Sequence, residues 1–204
     1  MEKRQNAHRN ISTIILSAGL STRMKQPKLV LPWGKDTILG TVISAFKDAE
    51  VGDIVVVTGG SRELVEQEAT KHNAKTVFNP KYENGEMVDS LKAGLAKIMD
   101  GNSTATFVAL ADHPFISSHD IRGMIDLYNK GKAKLIVPSY SMRRAHPWLI
   151  DRELWPDVMK IEPPDTMREF VNAHSNLIAY YIVEMSKILE DLDTPEDYER
   201  LRPQ

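Results

Sequence analysis

The feature that most constrains the fold is a regular alternation of short apolar runs and longer amphipathic ones. The apolar runs are nearly continuous and rich in β-branched residues, which is typical of parallel strands buried on both faces. They lie at 12–16, 53–58, 75–78, 105–110 and 134–137. The runs between them, at 37–48, 62–70, 88–99 and 118–128, have apolar residues at helical spacing. The alternation therefore predicts a three-layer α/β fold around a mostly parallel central sheet.

Local signals set some of the predicted element boundaries. Pro138 is expected to end the fifth strand. Ser117 and Asp120 have the spacing of a capping box before the fourth helix. Thr194 followed by Pro195 predicts the start of a C-terminal helix, because threonine caps well and proline suits the first helical position.

The length of the chain bears on its domain organisation. Its 204 residues are enough for one well-buried domain but a tight fit for two. We predict a flexible N-terminal tail at 1–10 and a single domain at 11–204. Within that domain, 138–177 is less periodic, and we expect it to be an irregular insertion that covers the site.

Composition excludes several classes of function. The chain has no cysteine, which rules out disulfides, thiolate zinc sites, iron–sulfur clusters and cysteine nucleophiles. The net charge of −2 argues against a broad interaction with nucleic acid or membrane. No apolar run approaches the ~20 residues that span a bilayer, and the N-terminus lacks the apolar stretch of a secretory signal. We therefore predict a cytoplasmic protein.

A polar loop follows the first predicted strand, at the edge where open α/β sheets bind ligands. Gly19 allows a ligand to approach the backbone, and the amides around it can form an anion-binding concavity. Arg23 and Lys28 add two positive charges that suit phosphate. The loop has neither the GxGxxG fingerprint nor the P-loop pattern. An ordinary strand–helix turn with solvated bases is an equally good interpretation of these residues alone.

Two acidic residues are candidate metal ligands. Asp112 directly follows the fourth strand, where a carboxylate is well placed to hold Mg²⁺ together with substrate phosphates. Asp191 and Asp193 alternate along an extended segment, so only one of the two is expected to meet Asp112. The alternative for Asp112 is that it caps a turn. The alternative for Asp191 and Asp193 is that they cap the last helix.

Basic residues in the irregular stretch are candidates for a second, anionic substrate. Arg144 and His146 lie in the run Arg143–Pro147, and Arg168 follows further along. A solvated loop is the alternative interpretation. The histidines without a patterned acid or serine partner are predicted to be surface residues: His8, His72, His119 and His174.

The loop sequence Leu16-Ser17-Ala18-Gly19-Leu20-Ser21-Thr22-Arg23-Met24, continued by the run 26–33, closely resembles the signature of the MobA-like nucleotidyltransferases. Within that family it is most similar to the molybdenum-cofactor cytidylyltransferases. The resemblance continues in order through 57–59, 79–82, 89–94, 111–114, 146–147 and 191–197. It covers nearly the whole chain after the first ten residues.

The resemblance implies a Rossmann-like fold and a Mg²⁺-dependent reaction, with Mn²⁺ as an alternative ion. A nucleoside triphosphate, CTP in the cytidylyltransferases, would transfer its monophosphate to the phosphate of molybdopterin and release pyrophosphate. A molybdenum hydroxylase or its maturation factor would be the protein partner. Transfer of GMP, transfer to a sugar phosphate, and a non-catalytic molybdenum-cofactor carrier remain alternatives. The pair Ala18-Gly19 favours cytidine, because guanylyltransferases usually carry a second glycine there.

The resemblance also assigns roles by position. Catalysis falls to Arg23, Lys28 and Asp112, and metal binding to Asp112 and Asp193. The nucleotide would contact Leu16, Ala18, Gly19, Arg23, Lys28, Gly59 and Ser90. The acceptor would contact Arg144, His146 and Arg168, which places 138–177 on the acceptor side. The chain departs from the family pattern at Lys25 and Ala145, where glycine is usual, and in the reduced serine run that leaves only Ser90.

Overall fold

The computed structural model describes residues 10–203, so almost all of the predicted tail at 1–10 lies outside the described residues. The strands are β1 (Ile11–Leu16), β2 (Pro32–Trp33), β3 (Asp36–Thr37), β4 (Ile54–Thr58), β5 (Lys75–Phe78), β6 (Ala105–Leu110), β7 (Leu135–Tyr140), β8 (Arg143–Arg144), β9 (Trp148–Asp151) and β10 (Ile178–Ile182). The α-helices are α1 (Ile38–Asp48), α2 (Arg62–Lys71), α3 (Met87–Ile98), α4 (Ser118–Lys130), α5 (Trp155–Met159), α6 (Met167–Ala173) and α7 (Pro195–Leu201). Short 3₁₀ turns occupy Thr22–Met24, Lys28–Val30, Arg152–Leu154, Ser175–Leu177 and Ser186–Leu189.

The central sheet has the strand order β10-β7-β9-β6-β1-β4-β5, with β8 beside β7. Pairs of β1 with β4 and β6, of β4 with β5, and of β7 with β10 are parallel. Only the pairs made by β9 and β8 are antiparallel in this sheet. The predicted mostly parallel sheet is confirmed. Strands β2 and β3 form a separate small hairpin.

Helices cover both faces of the sheet and create two apolar cores. Helices α1, α2, α4 and α7 pack on one face, and α3, α5 and α6 pack on the other. Neighbouring residues of a strand point to opposite faces, so Ile15 belongs to the first core and Ile14 to the second. Both faces are apolar, which explains the continuous apolar runs in the sequence. The three-layer architecture is therefore confirmed.

The stretch 138–177 contains more regular structure than its sequence indicates. Strand β9 lies between β6 and β7 near the centre of the sheet, and all four of its residues are buried. Four residues after a proline are too few to establish a period. Only pairing with β6 and β7 makes this segment a strand. The edge strand β10 also escaped prediction, and its alternating burial is weak.

The prediction that Pro138 ends the fifth strand is wrong, because β7 continues to Tyr140. Proline lacks an N–H, which usually excludes it from a ladder. Here the carbonyl of Pro138 accepts from the backbone N–H of Ala145. A residue other than proline would donate its backbone N–H to the carbonyl of Ala145. Here that carbonyl accepts the indole N–H of Trp148 at 2.8 Å instead. Both carbonyls opposite each other at this position therefore have a donor, which is compatible with a strand that runs through the proline.

Predicted helix starts agree with the structure. Ser117 and Asp120 form a capping box before α4, and Thr194 forms another with Asp197 before α7. Within residues 10–203, no helix has the length and apolar character needed to cross a membrane.

Candidate active site

Two of the cavities at the edge of the sheet where the parallel strands end contain the predicted charged residues. The loop cleft consists of two adjoining hollows of about 270 and 310 Å³ that share Leu16, Gly19 and Asp112. The arginine cavity, of about 640 Å³, is lined by residues of β8, by α6 and by the segment before β9. Because β9 runs against the parallel strands, its start lies at the same edge as their ends. The fold therefore brings His146 beside the loop after β6.

The loop after β1 is held against the end of β4. The backbone N–H of Ser17 donates to the carbonyl of Val57 at 3.0 Å. A Cβ at Gly59 would collide with the backbone of Ala18, so glycine there permits close contact between the two loops. A Cβ at Gly19 would meet no heavy atom within 4 Å, which leaves open space in the cleft. Gly59 thus lies behind the loop and lines neither hollow of the cleft.

Four charged side chains meet at the floor of the loop cleft. Lys28 Nζ donates to Asp112 Oδ2 at 2.6 Å, to Asp193 Oδ1 at 3.2 Å and to the carbonyl of Leu192 at 2.9 Å. Arg23 Nη2 lies 2.7 Å from the other oxygen of Asp193. Lys28 and Asp112 are 84 positions apart, and Lys28 and Asp193 are 165 apart. The structure therefore brings together four of the residues that the sequence singled out.

The two carboxylates fit a divalent cation. Oxygens of Asp112 and Asp193 both reach one cationic position, which the lysine Nζ occupies. Carboxylates combined with substrate phosphates are the ligands that Mg²⁺ prefers. Burial raises the pKa of Asp112, but Lys28 and the neighbouring His113 outweigh it, so the pKa lies below its usual range. Asp112 is therefore ionised at neutral pH. Asp191, by contrast, is exposed, and the buried Leu192 separates it from Asp193.

The signature loop contains left-handed backbone. Ser21 has φ 51° and Lys25 has φ 55°. Residues other than glycine are strained in this region, because their Cβ atom approaches the backbone too closely. The family's usual glycine after the Arg-Met pair therefore has a conformational reason. At Lys25 this chain places a side chain in the left-handed region, with the strain that this conformation carries.

The second hollow of the cleft lies between the loop and the start of α3. Asn79 Nδ2 donates to Ser90 Oγ at 2.9 Å, and both residues line the hollow together with Tyr82. Asp89, next to Ser90, caps α3 through the N–H of Glu86 and pairs with Lys81 at 3.1 Å. Glu86 and Asp89 stand where serines are usual in the family, and their contacts stabilise the start of α3. Tyr82 also lines the cleft. Its position in the family motif at 79–82 was the only sign of this in the sequence.

Two histidines separate the loop cleft from the arginine cavity. The rings of His113 and His146 meet edge to face with centroids 6.1 Å apart, and His146 stacks on Trp148 at 4.3 Å. Burial lowers the pKa of His113 and lowers that of His146 to about 4. Both rings are therefore uncharged at neutral pH. His113 was not singled out from the sequence, and its adjacency to Asp112 was the available signal.

Three arginines line the arginine cavity: Arg143, Arg144 and Arg168. Arg144 donates to Asn172 Oδ1 at 2.6 Å and to the hydroxyl of Tyr180 at 3.1 Å. Within residues 10–203, none of the three arginines forms an ion pair with a carboxylate. The structure thus places Arg144, His146 and Arg168 around one hollow with uncompensated positive charge.

A separate polar cluster corrects the prediction that His72 is an unpartnered surface residue. His72 Nε2 lies 3.2 Å from Asp36 Oδ1 and 3.4 Å from Glu68 Oε1, and its side chain is 17% exposed. The three ligand atoms lie within 4.8 Å of one another, a spacing that can hold a metal ion. Burial raises the pKa of Glu68. Hydrogen bonds from Lys71 and Thr37, together with nearby positive charge, have the larger effect, so the pKa lies below its usual value. These contacts connect β3 to α2, away from the loop cleft.

The fold and the site together define a class of protein. A loop with two bases faces two carboxylates at the carboxyl edge of a parallel sheet, and no nucleophile–base pair is present among these residues. This arrangement suits the binding of a metal-bound polyphosphate and the transfer of a phosphorus group by positioning and electrostatics.

Comparison with known proteins agrees with that class. The model of the MobA-like NTP transferase domain matches residues 13–177. The molybdenum cofactor cytidylyltransferase of Escherichia coli is 30% identical over 92% of this chain and 93% of its own length. A probable molybdenum cofactor guanylyltransferase of Natranaerobius thermophilus is 26% identical over 95% of each chain. A manganese complex of Rv0371c from Mycobacterium tuberculosis shares the fold, with a TM-score of 0.78, 23% identity and coverage of 94% and 97%. The chain belongs to the MobA-like NTP transferase family and is a nucleotidyltransferase.

Proposed function

We propose that this nucleotidyltransferase transfers CMP from CTP to the phosphate of molybdopterin and releases pyrophosphate. The observation that carries the proposal is the convergence of Arg23, Lys28, Asp112 and Asp193 beside a hollow lined by Ala18 and Ser90. The arginine cavity adjoins it across the histidine pair.

The proposed chemistry needs no protein nucleophile. An ionised oxygen of the acceptor phosphate attacks the α-phosphorus of the triphosphate and forms the new P–O bond. The bond from the α-phosphorus to the bridging oxygen breaks, and pyrophosphate leaves with the electron pair. Arg23 and Lys28 would stabilise the charge that develops on pyrophosphate. Mg²⁺ held by Asp112 and Asp193 would neutralise phosphate charge when bound.

The choice of cytidine rests on the loop. Ala18 is 7% exposed and lines the hollow that would take the base, so its methyl group takes space that glycine would leave free. This supports the smaller pyrimidine. The chain is similar to both a cytidylyltransferase and a probable guanylyltransferase, so GMP transfer is the competing assignment.

The choice of acceptor rests on the arginine cavity. Three guanidinium groups without carboxylate partners favour an anionic substrate. A phosphate bound by Arg144 and Arg168 would lie across the His113–His146 pair from Asp112. Molybdopterin is the proposed anionic acceptor, and a molybdenum hydroxylase or its maturation factor is the proposed recipient of the product.

The deciding experiment measures pyrophosphate release with CTP, GTP, ATP and UTP in turn, each with Mg²⁺ and molybdopterin. We expect release with CTP and incorporation of CMP into the pterin product. Faster release with GTP would replace the cytidine assignment. Turnover with a sugar phosphate but not with molybdopterin would replace the acceptor. Absence of turnover under every condition would overturn the proposal in favour of a non-catalytic carrier.

A further inference from the structure

The ammonium group of Lys28 is fully engaged by the protein. It carries three N–H donors, and three acceptors lie within hydrogen-bond distance: Asp112 Oδ2, Asp193 Oδ1 and the carbonyl of Leu192. Its side chain is only 13% exposed. A phosphate can therefore accept a hydrogen bond from Lys28 only after one of these three contacts has broken.

The cluster is also electrically balanced. Asp112 and Asp193 contribute two negative charges, and Lys28 and Arg23 contribute two positive ones. A divalent cation approaching alone finds both carboxylates already paired with bases, and its position between them is taken by the lysine Nζ. A triphosphate approaching alone meets bases that are already paired. Both carboxylates are thus engaged before a cation arrives, and Lys28 is engaged before a triphosphate arrives.

We propose that Lys28 acts as an internal substitute for the metal ion, so that the divalent cation and the triphosphate bind with positive cooperativity through an exchange of ionic partners. Asp112 and Asp193 exchange their contacts with Lys28 and Arg23 for contacts with the cation. The two bases then bind the phosphates instead of the acids. This inference deepens the proposed function and rests on its assignment of the triphosphate to the loop cleft. Because coupling is reciprocal, the triphosphate raises the affinity for the cation by the same factor as the reverse.

The exchange has a consequence that is separate from catalysis. Removal of the lysine charge leaves two adjacent carboxylates without their internal cation, and these should then bind a metal ion without nucleotide. We expect Lys28→Met to bind Mn²⁺ alone roughly tenfold more tightly than the wild type. In the wild type, Mn²⁺ must compete with the state in which Lys28 lies between the two carboxylates, and the variant lacks that state. Lys28→Gln should behave in the same way and serves if the methionine variant folds poorly.

The experiment is a titration with Mn²⁺ alone, followed by the electron paramagnetic resonance signal of the free ion. Lys97→Met, which removes an exposed lysine at the end of α3 far from the cleft, is the matched control and should bind like the wild type. Adding Asp193→Asn to Lys28→Met should cancel the gain, which would place the ion between the two acids. Thermal unfolding gives a second measurement, because Mn²⁺ should raise the melting temperature of Lys28→Met more than that of the wild type.

Equal Mn²⁺ affinity in the wild type and both Lys28 variants would overturn the inference. So would a gain that survives the Asp193→Asn change. These outcomes are independent of the proposed function, because no nucleotide or acceptor is present. A wild type that turns over CTP while its Lys28 variants gain no affinity would defeat the exchange alone. An inactive wild type whose Lys28 variants do gain affinity would defeat the proposed reaction alone.

Discussion

The loop cleft and the arginine cavity lie on either side of the same histidine pair but differ in their electrostatics. In the loop cleft, Lys28 and Arg23 are matched by Asp112 and Asp193. In the arginine cavity, the three lining arginines have no carboxylate partner among residues 10–203. The bases of one site are paired with acids of the same site, and the arginines of the other have no such partner.

The difference indicates how each cavity meets its ligand. A paired cluster must exchange partners, which suits two ligands of opposite charge that arrive together. An unpaired cationic hollow needs only one anion and gains its charge-assisted hydrogen bonds directly. We therefore expect substitutions in the loop cleft to affect chiefly the chemical step and metal dependence. Substitutions in the arginine cavity should affect chiefly the affinity for the acceptor.

The largest expected effect is that of Asp112→Ala. Asp112 is the proposed metal ligand, so its loss should remove electrostatic stabilisation of the transferring phosphorus group, and we expect kcat to fall by roughly 10³-fold. Circular dichroism should show an unchanged fold, since Lys28 keeps the carbonyl of Leu192 and Asp193 as partners. The control is Asp100→Ala, which removes an exposed acid. Near-full activity of Asp112→Ala would contradict the metal assignment.

The arginine cavity should respond differently. Loss of a hydrogen bond to a charged group costs about 1.5–3 kcal/mol, so Arg168→Ala should raise the KM for the acceptor by roughly 10- to 150-fold. The KM for the triphosphate should stay the same. Arg202→Ala, which removes an exposed arginine elsewhere, should leave both constants unchanged. A parallel rise of both KM values in Arg168→Ala would show that the two cavities are not functionally separate.

The histidine pair between the cavities should make stability depend on pH. The pKa of His146 is about 4 in the folded chain and about 6.5 in an unfolded one. The unfolded state therefore binds more protons as pH falls from about 6.5 to about 4, and the folded state loses stability over that range. At pH 5 the loss relative to pH 7 is about 2 kcal/mol from this group.

Urea unfolding at pH 7 and pH 5 measures this loss directly. His146→Gln should show a smaller difference between the two pH values, because the buried imidazole is gone. His119→Gln removes an exposed imidazole and should keep the wild-type dependence. An identical pH dependence in His146→Gln and the wild type would contradict the buried, uncharged state of His146.

The smallest expected effect concerns the loop itself. Lys25 adopts φ 55°, a conformation that costs a side chain about 1 kcal/mol and costs glycine almost nothing. Lys25→Gly should therefore stabilise the fold by at most about 1 kcal/mol, because the glycine also gains freedom in the unfolded chain. Lys25→Ala removes the same charge but keeps the strain, so it should not stabilise. Equal melting temperatures for the two variants would indicate that the backbone there is relaxed.

Much of the fold was predictable because it depends on local patterns. The run at 105–110 becomes β6 with the predicted boundaries, and Ser117 and Thr194 cap the helices that follow them. Asp112 lies at the carboxyl end of a buried strand, where its position alone indicated a ligand edge. Strand β9 could not be predicted, since its few residues become a strand only between β6 and β7.

By itself, the sequence determined the three-layer architecture, the signature loop and the identities of the acids and bases at the ends of the strands. Periodicity and caps are properties of neighbouring residues, so they can be recognised without the fold. Tertiary structure alone decided that Lys28 occupies the position between Asp112 and Asp193. It also decided that Gly59 supports the loop from behind, and that Arg144 and Arg168 share one hollow. Ionic partners distant in the chain are selected by packing, and burial then determines which charges are paired and which remain open for a ligand.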